Sequence, residues 1–123
     1  MSKLFSVAPE SMPVGDGKVC VLHVAGRIDE ATTKEFEEAF AGAIADGCRD
    51  FVVDLVQANS ISSAGLRLLL KLHRAALNAG GCIKIAAPRR RIREEMDTVF
   101  FSRLMDIYGT VDVAVGSIGG ETS

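Results

Sequence analysis

The chain has no tryptophan, one tyrosine and six phenylalanines, so its core must be built mainly from aliphatic side chains. Its three cysteines, Cys20, Cys48 and Cys82, are odd in number and far apart. They form neither a CxxC pair nor a zinc-ligand spacing. Two of them sit in apolar strand-like runs, where cysteine acts as a small hydrophobe, and all three read as reduced thiols. The only histidines, His23 and His73, have no acidic or cysteine neighbours at ligand spacing, so no metal site is predicted. No apolar run approaches the roughly 18–20 residues of a membrane span. The first residues, Met1-Ser2-Lys3-Leu4-Phe5, lack the apolar core of a signal peptide. A net charge of −2 gives no general attraction to nucleic acid or acidic lipid. The expectation is a cytoplasmic protein without cofactor, membrane contact or direct nucleic-acid contact.

What is present is an ordinary globular composition, 48% hydrophobic and 24% charged over 123 residues. That length suits one domain with its own core. The core is expected over about residues 3–116, followed by a flexible Gly-Gly-Glu-Thr-Ser tail.

Residues 3–8 read as a short edge strand ended by Pro9 and Pro13, with a hairpin turn at Asp16-Gly17. Residues 18–25 are apolar on both faces and read as an interior strand punctuated by Gly26. Asp29 or Thr32 then caps a helix over about 30–46, with Phe36, Phe40, Ala43 and Ile44 on its buried stripe. Residues 51–56 form a second buried strand, apolar except for Asp54. A helix over about 63–79 carries a narrow polar stripe of Arg67, Lys71, Arg74 and Asn78, ending at Gly80-Gly81. Its apolar arc is wide, which leaves Leu68 or Leu72 either exposed for docking or covered by neighbouring helices. Residues 82–87 form a third buried strand closed by Pro88, and 89–99 look helical. Leu104, Met105, Ile107 and Tyr108 turn back toward the core, and a last helix or strand covers 111–118. Strands alternating with helices predict an α/β domain: a mixed, mainly parallel sheet packed with about four helices.

The segment Asn59-Ser60-Ile61-Ser62-Ser63-Ala64-Gly65-Leu66 joins a buried strand to a helix through small hydroxyl residues. Ser62 or Ser60 can cap the helix, which places Ser63 in its first turn. Gly65, lacking a side chain, lets another backbone approach. A phosphate on Ser63 would add about −1.5 to −2 charges, which the N–H groups and dipole of a helix start accommodate. The same dianion would repel or desolvate a partner built against the turn. Elsewhere, Arg89, Arg90, Arg91 and Arg93 precede Glu94, Glu95 and Asp97 and read as a solvated, internally paired face. No catalytic set is evident, and Ala79-Gly80-Gly81 is too short for a phosphate-cradling loop, so no enzyme is predicted.

Val52-Val53-Asp54-Leu55 followed by Ile61-Ser62-Ser63-Ala64-Gly65-Leu66-Arg67 resembles the STAS domain of anti-sigma factor antagonists. Ala25-Gly26-Arg27-Ile28-Asp29, Ala79-Gly80-Gly81 and Arg103-Leu104-Met105-Asp106-Ile107-Tyr108 extend the resemblance over roughly residues 18–115. It implies a single STAS domain acting by partner switching. In that family the unphosphorylated antagonist binds an anti-sigma factor that is also a serine kinase, releasing the sigma factor. The kinase then phosphorylates a serine at the strand-to-helix turn, and a phosphatase reverses the change. The matching acceptor is Ser63; the implied partner surface is Asp29, Ser62, Ser63, Ala64, Gly65, Leu66 and Arg67. The family's usual motif is Asp-Ser-Ser-Gly-Leu, so Ser62 stands where Asp is common, and Phe100 stands where glycine is frequent. A monomer or weak dimer is expected. The alternatives are a non-catalytic STAS subunit of a lipid transporter or stress-sensing scaffold, and a small-ligand or nucleotide-binding domain.

Overall fold

The computed structural model describes residues 4–15 and 17–120. The start of the chain, the Asp16 half of the expected turn and the last three residues of the tail lie outside the described residues. The elements are β1 (Ser6–Val14), β2 (Gly17–Ile28), α1 (Thr33–Ala45), β3 (Asp50–Ile61), α2 (Ser63–Asn78), β4 (Cys82–Ala86), α3 (Arg90–Thr98), a 3-10 turn (Phe101–Arg103), β5 (Ile107–Tyr108) and α4 (Val111–Gly120). The sheet order is β1-β2-β3-β4-β5, with β1 antiparallel to β2 and every other pair parallel. This is the predicted α/β architecture with four helices.

Successive parallel strands step in one direction, so the α1 and α2 crossovers fall on the same face of the sheet. On that face Leu22, Val24, Phe51, Val53, Ile83 and Ile85 meet Phe36, Phe40, Leu69, Leu72, Ile92 and Met96. Each fully buried large aliphatic side chain contributes about 1.5–3 kcal/mol. The opposite face is covered by α4, whose Ala114, Val115 and Ile118 pack on Val19, Val21, Val52 and Ala86.

Several expectations are corrected. β1 runs through Pro9 and Pro13 instead of stopping at residue 8. The two prolines are four residues apart, so their nitrogens lie on the same side of the strand; β1 is an edge, and that side needs no donor. β2 continues past Gly26, whose φ of +96° and close approach to the Leu4 carbonyl exclude a side chain. β3 extends to Ile61, so the strand reaches the Ser62 turn without an intervening loop. For Leu68 and Leu72 two readings were open, and the structure decides between them: both are buried. Leu104 is 57% exposed and does not return to the core, whereas Met105 does. Cys20 and Cys48 are not reduced thiols: they form a disulfide with Cα atoms 6.2 Å apart, in which Cys82 takes no part.

Candidate functional site

The β3–α2 junction is a tight turn in which Ser62 is the N-cap, with extended backbone. Its Oγ accepts from the Gly65 N–H at 3.2 Å, one of the helix's unpaired first-turn donors. Its own N–H donates to the Ile28 carbonyl at 2.9 Å, tying the end of β2 to the start of α2. Gly65 packs over that strand end: a Cβ there would lie 2.7 Å from the Ile28 carbonyl oxygen. The sequence expectation of a close backbone approach at Gly65 is met.

Ser63 is the first residue of α2 and is exposed. Its hydroxyl makes no hydrogen bond among the described residues, and the first turn of the helix holds no acidic residue. Arg67, one turn on, is exposed and likewise without an ion pair among the described residues. An anion on Ser63 would therefore meet a helix N-terminus and a guanidinium, with no carboxylate of the first turn opposing it.

Asp29 comes to the same end of the sheet, through the β2–α1 turn. Its carboxylate accepts from the Ala31 N–H at 3.0 Å, while the Thr32 hydroxyl donates to the Arg27 carbonyl at 2.9 Å and accepts from the Asp29 N–H at 3.0 Å. Thr32 is the N-cap of α1 by position, yet no side chain caps that helix; both residues instead stabilise the turn before it. The Asp29 and Ser62 turns are thus neighbours through Ile28. Of the sequence-predicted surface, Asp29, Ser62 and Ala64 are half-buried, Ser63 and Arg67 are exposed, and Gly65 and Leu66 are buried beneath the turn.

Arg89, one of the basic cluster, donates to the Val56 carbonyl at 2.8 Å and to Asn59 Oδ1 at 3.4 Å, bracing the strand that carries the turn. Arg93 pairs with Asp97 at 3.2 Å, the helical pairing expected from their spacing.

One polar cluster escaped sequence reasoning. On the sheet face that carries α4, His23 of β2 lies between Glu10 of β1 and buried Asp54 of β3, with Nε2 2.8 Å from Glu10 Oε1 and Nδ1 2.7 Å from Asp54 Oδ2. Burial alone would lower the His23 pKa, but the two carboxylates together outweigh it and raise the value above 6.5. Both ring nitrogens can donate only when the ring is an imidazolium, the state that two neighbouring carboxylates favour. The available signal was the β1–β2 hairpin: Glu10 pairs with Val21 and so lies diagonal to His23. No group of three or more side chains suited to a metal ion occurs among the described residues.

The described residues form a five-stranded mixed sheet packed with four helices, the α/β architecture of a STAS domain. The family model described as STAS domain matches residues 11–114, and the chain belongs to that family. Among solved structures, an anti-sigma factor antagonist from Mycobacterium paratuberculosis is similar at 25% identity and a TM-score of 0.76, over 92% of this chain and 94% of that one. The Bacillus cell fate determinant SpoIIAA in its phosphorylated form is 17% identical, with a TM-score of 0.63 over 90% of this chain and 99% of that one. Murine Slc26a9, an anion transporter, contains a similar fold at 15% identity and a TM-score of 0.72, over 83% of this chain but 18% of the transporter. No curated protein matches the sequence. No helix among the described residues is long and apolar enough to cross a membrane.

Proposed function

We propose that this protein is an anti-sigma factor antagonist that works by partner switching, with Ser63 as the switch. Unphosphorylated, it binds an anti-sigma factor serine kinase through the Asp29 and Ser62–Arg67 turns and so releases a sigma factor in the cytoplasm. In the reverse step Ser63 Oγ attacks the γ-phosphorus of the kinase's ATP, ADP leaves and the hydroxyl proton is released. A serine phosphatase restores the hydroxyl by hydrolysis. The protein itself acts by binding and not by catalysis.

The observation that carries this reading is the exposed, unbonded Ser63 hydroxyl at a helix start free of acidic residues, immediately after a cap that Ser62 already supplies. Because Ser62 holds the helix, Ser63 can be modified without removing the cap. The phosphate then changes the surface and leaves the fold in place. Similarity to the mycobacterial antagonist over nearly the whole of both chains supports the same role.

Incubation with candidate kinases and ATP, followed by mass spectrometry of the peptide containing Ser62 and Ser63, should find the phosphate on Ser63. Ser63→Ala should bind the kinase as the wild type does and accept no phosphate. Ser63→Glu should bind about tenfold or more weakly, because a charge is desolvated in the interface. Equal binding by wild type and Ser63→Glu would refute the mechanism.

A further inference from the structure

Seven large apolar residues are exposed among the described residues, and three of them, Val99, Phe100 and Leu104, fall within six positions between α3 and β5. Val99 and Leu104 form one wall of a groove of about 220 Å³ whose other wall is Ser63, Leu66, Arg67 and Leu70 of α2. Buried Phe101 also lines it. We propose that this groove is the docking surface for an apolar segment of the anti-sigma factor flanked by carboxylates. The inference rests on the function proposed above and extends the partner surface beyond the two turns.

Phe100 supplies the first argument. Its backbone is left-handed, with φ 57° and ψ 35°, a conformation that glycine adopts without steric cost and a bulky residue does not. Its ring is 61% exposed, so burial within the chain does not compensate. The Arg103 guanidinium lies 4.9 Å from the ring centroid, an amphipathic pair of the kind enriched at protein interfaces. Strain held beside an exposed aromatic points outward, to a contact made with another molecule.

Charge names the occupant. No acidic residue lines the groove; Arg67 lines it, and Arg103 stands over the neighbouring Phe100 ring. A second copy of this chain docking by the same face would bring those guanidiniums against their own kind. A partner offering apolar side chains among carboxylates is matched on both counts. Ser63 belongs to the same groove, so a phosphate there would pair with Arg67 and place a dianion where the partner's carboxylates must sit. The switch and the docking surface would then be one site.

The test is calorimetric titration of the full chain against each purified anti-sigma factor of the source genome. Phe100→Gly and Leu104→Ser should each weaken binding about tenfold or more. Their melting temperatures should stay unchanged, or rise for Phe100→Gly, and Leu77→Ser, at an exposed leucine near the far end of α2, should bind as the wild type does. Arg103→Glu should also weaken binding about tenfold. Binding that Ser63→Glu abolishes but that Phe100→Gly and Leu104→Ser leave within about twofold would overturn the docking surface and keep the proposed function. Failure of the wild type to bind any anti-sigma factor would overturn both. A wild-type dimer in sedimentation that Leu104→Ser dissociates would assign the groove to a second copy and overturn the proposal.

Discussion

At Ser62 one hydroxyl oxygen holds the Gly65 N–H at 3.2 Å and sets where α2 begins. Ser62→Ala leaves that donor unpaired and should lower stability by about 1 kcal/mol in urea denaturation. Ser62→Asp should retain it, since a carboxylate accepts the same bond and faces the positive end of the helix. This cap was legible in the sequence because it depends only on a hydroxyl residue just before an apolar helical stripe. Phe100 was legible only in part. The family's frequent glycine at that place marks a departure, but the left-handed backbone behind it is set by how α3 ends against the following turn. Glu10, His23 and Asp54 were invisible together, because their contact depends on the register of three strands.

At the scale of elements, strands and helices were readable from periodicity, and their ends were not. β1 passes through two prolines that locally say stop, because an edge strand has one side that needs no donors. Leu68 and Leu72 were undecided on the helix alone; their burial is decided by what packs around α2, including α1, which Lys71 of α2 grips through Glu37 at 2.9 Å. The disulfide belongs to this scale too. Cys20 in β2 and Cys48 after α1 are separated by 28 residues and meet only because the β2–α1–β3 crossover closes. Thiol titration of the denatured, unreduced protein should therefore find one reactive thiol, Cys82, of the three cysteines. Reduction should cost roughly 3–4 kcal/mol of stability for a loop of this length. Three titratable thiols before any reductant is added would restore the reading from sequence.

For the whole molecule, the two histidines couple folding to pH in opposite directions. His23 is raised above 6.5, with burial overcome by the Glu10 and Asp54 carboxylates. Its contribution to stability is fully present below the unfolded value of 6.5 and is lost as pH rises through the higher folded value. His73 is lowered from 6.5, first by burial and then by the Lys84 charge, with Asp106 partly opposing. Its Nδ1 accepts the Ile83 N–H at 3.4 Å, which requires the neutral ring. Folding therefore favours neutral His73, and that contribution is lost as pH falls from 6.5 through the lower folded value. The two effects leave a stability maximum near the ordinary imidazole value. Above it Glu10 and Asp54 should lose their shared cation; below it His73 should lose the bond it accepts from the Ile83 N–H. Urea denaturation across about pH 5 to 9 should show both limbs, where imidazole titrates. His23→Gln should flatten the alkaline limb alone, and His73→Gln the acid limb alone. A His23→Gln variant that keeps the alkaline fall would show that the three-strand clasp does not carry it. If Ser63 is the acceptor proposed above, the kinase should phosphorylate it alike in wild type and in His23→Gln, because the side-chain partners of His23 are Glu10 and Asp54 and not residues of the Ser62–Ser63 turn.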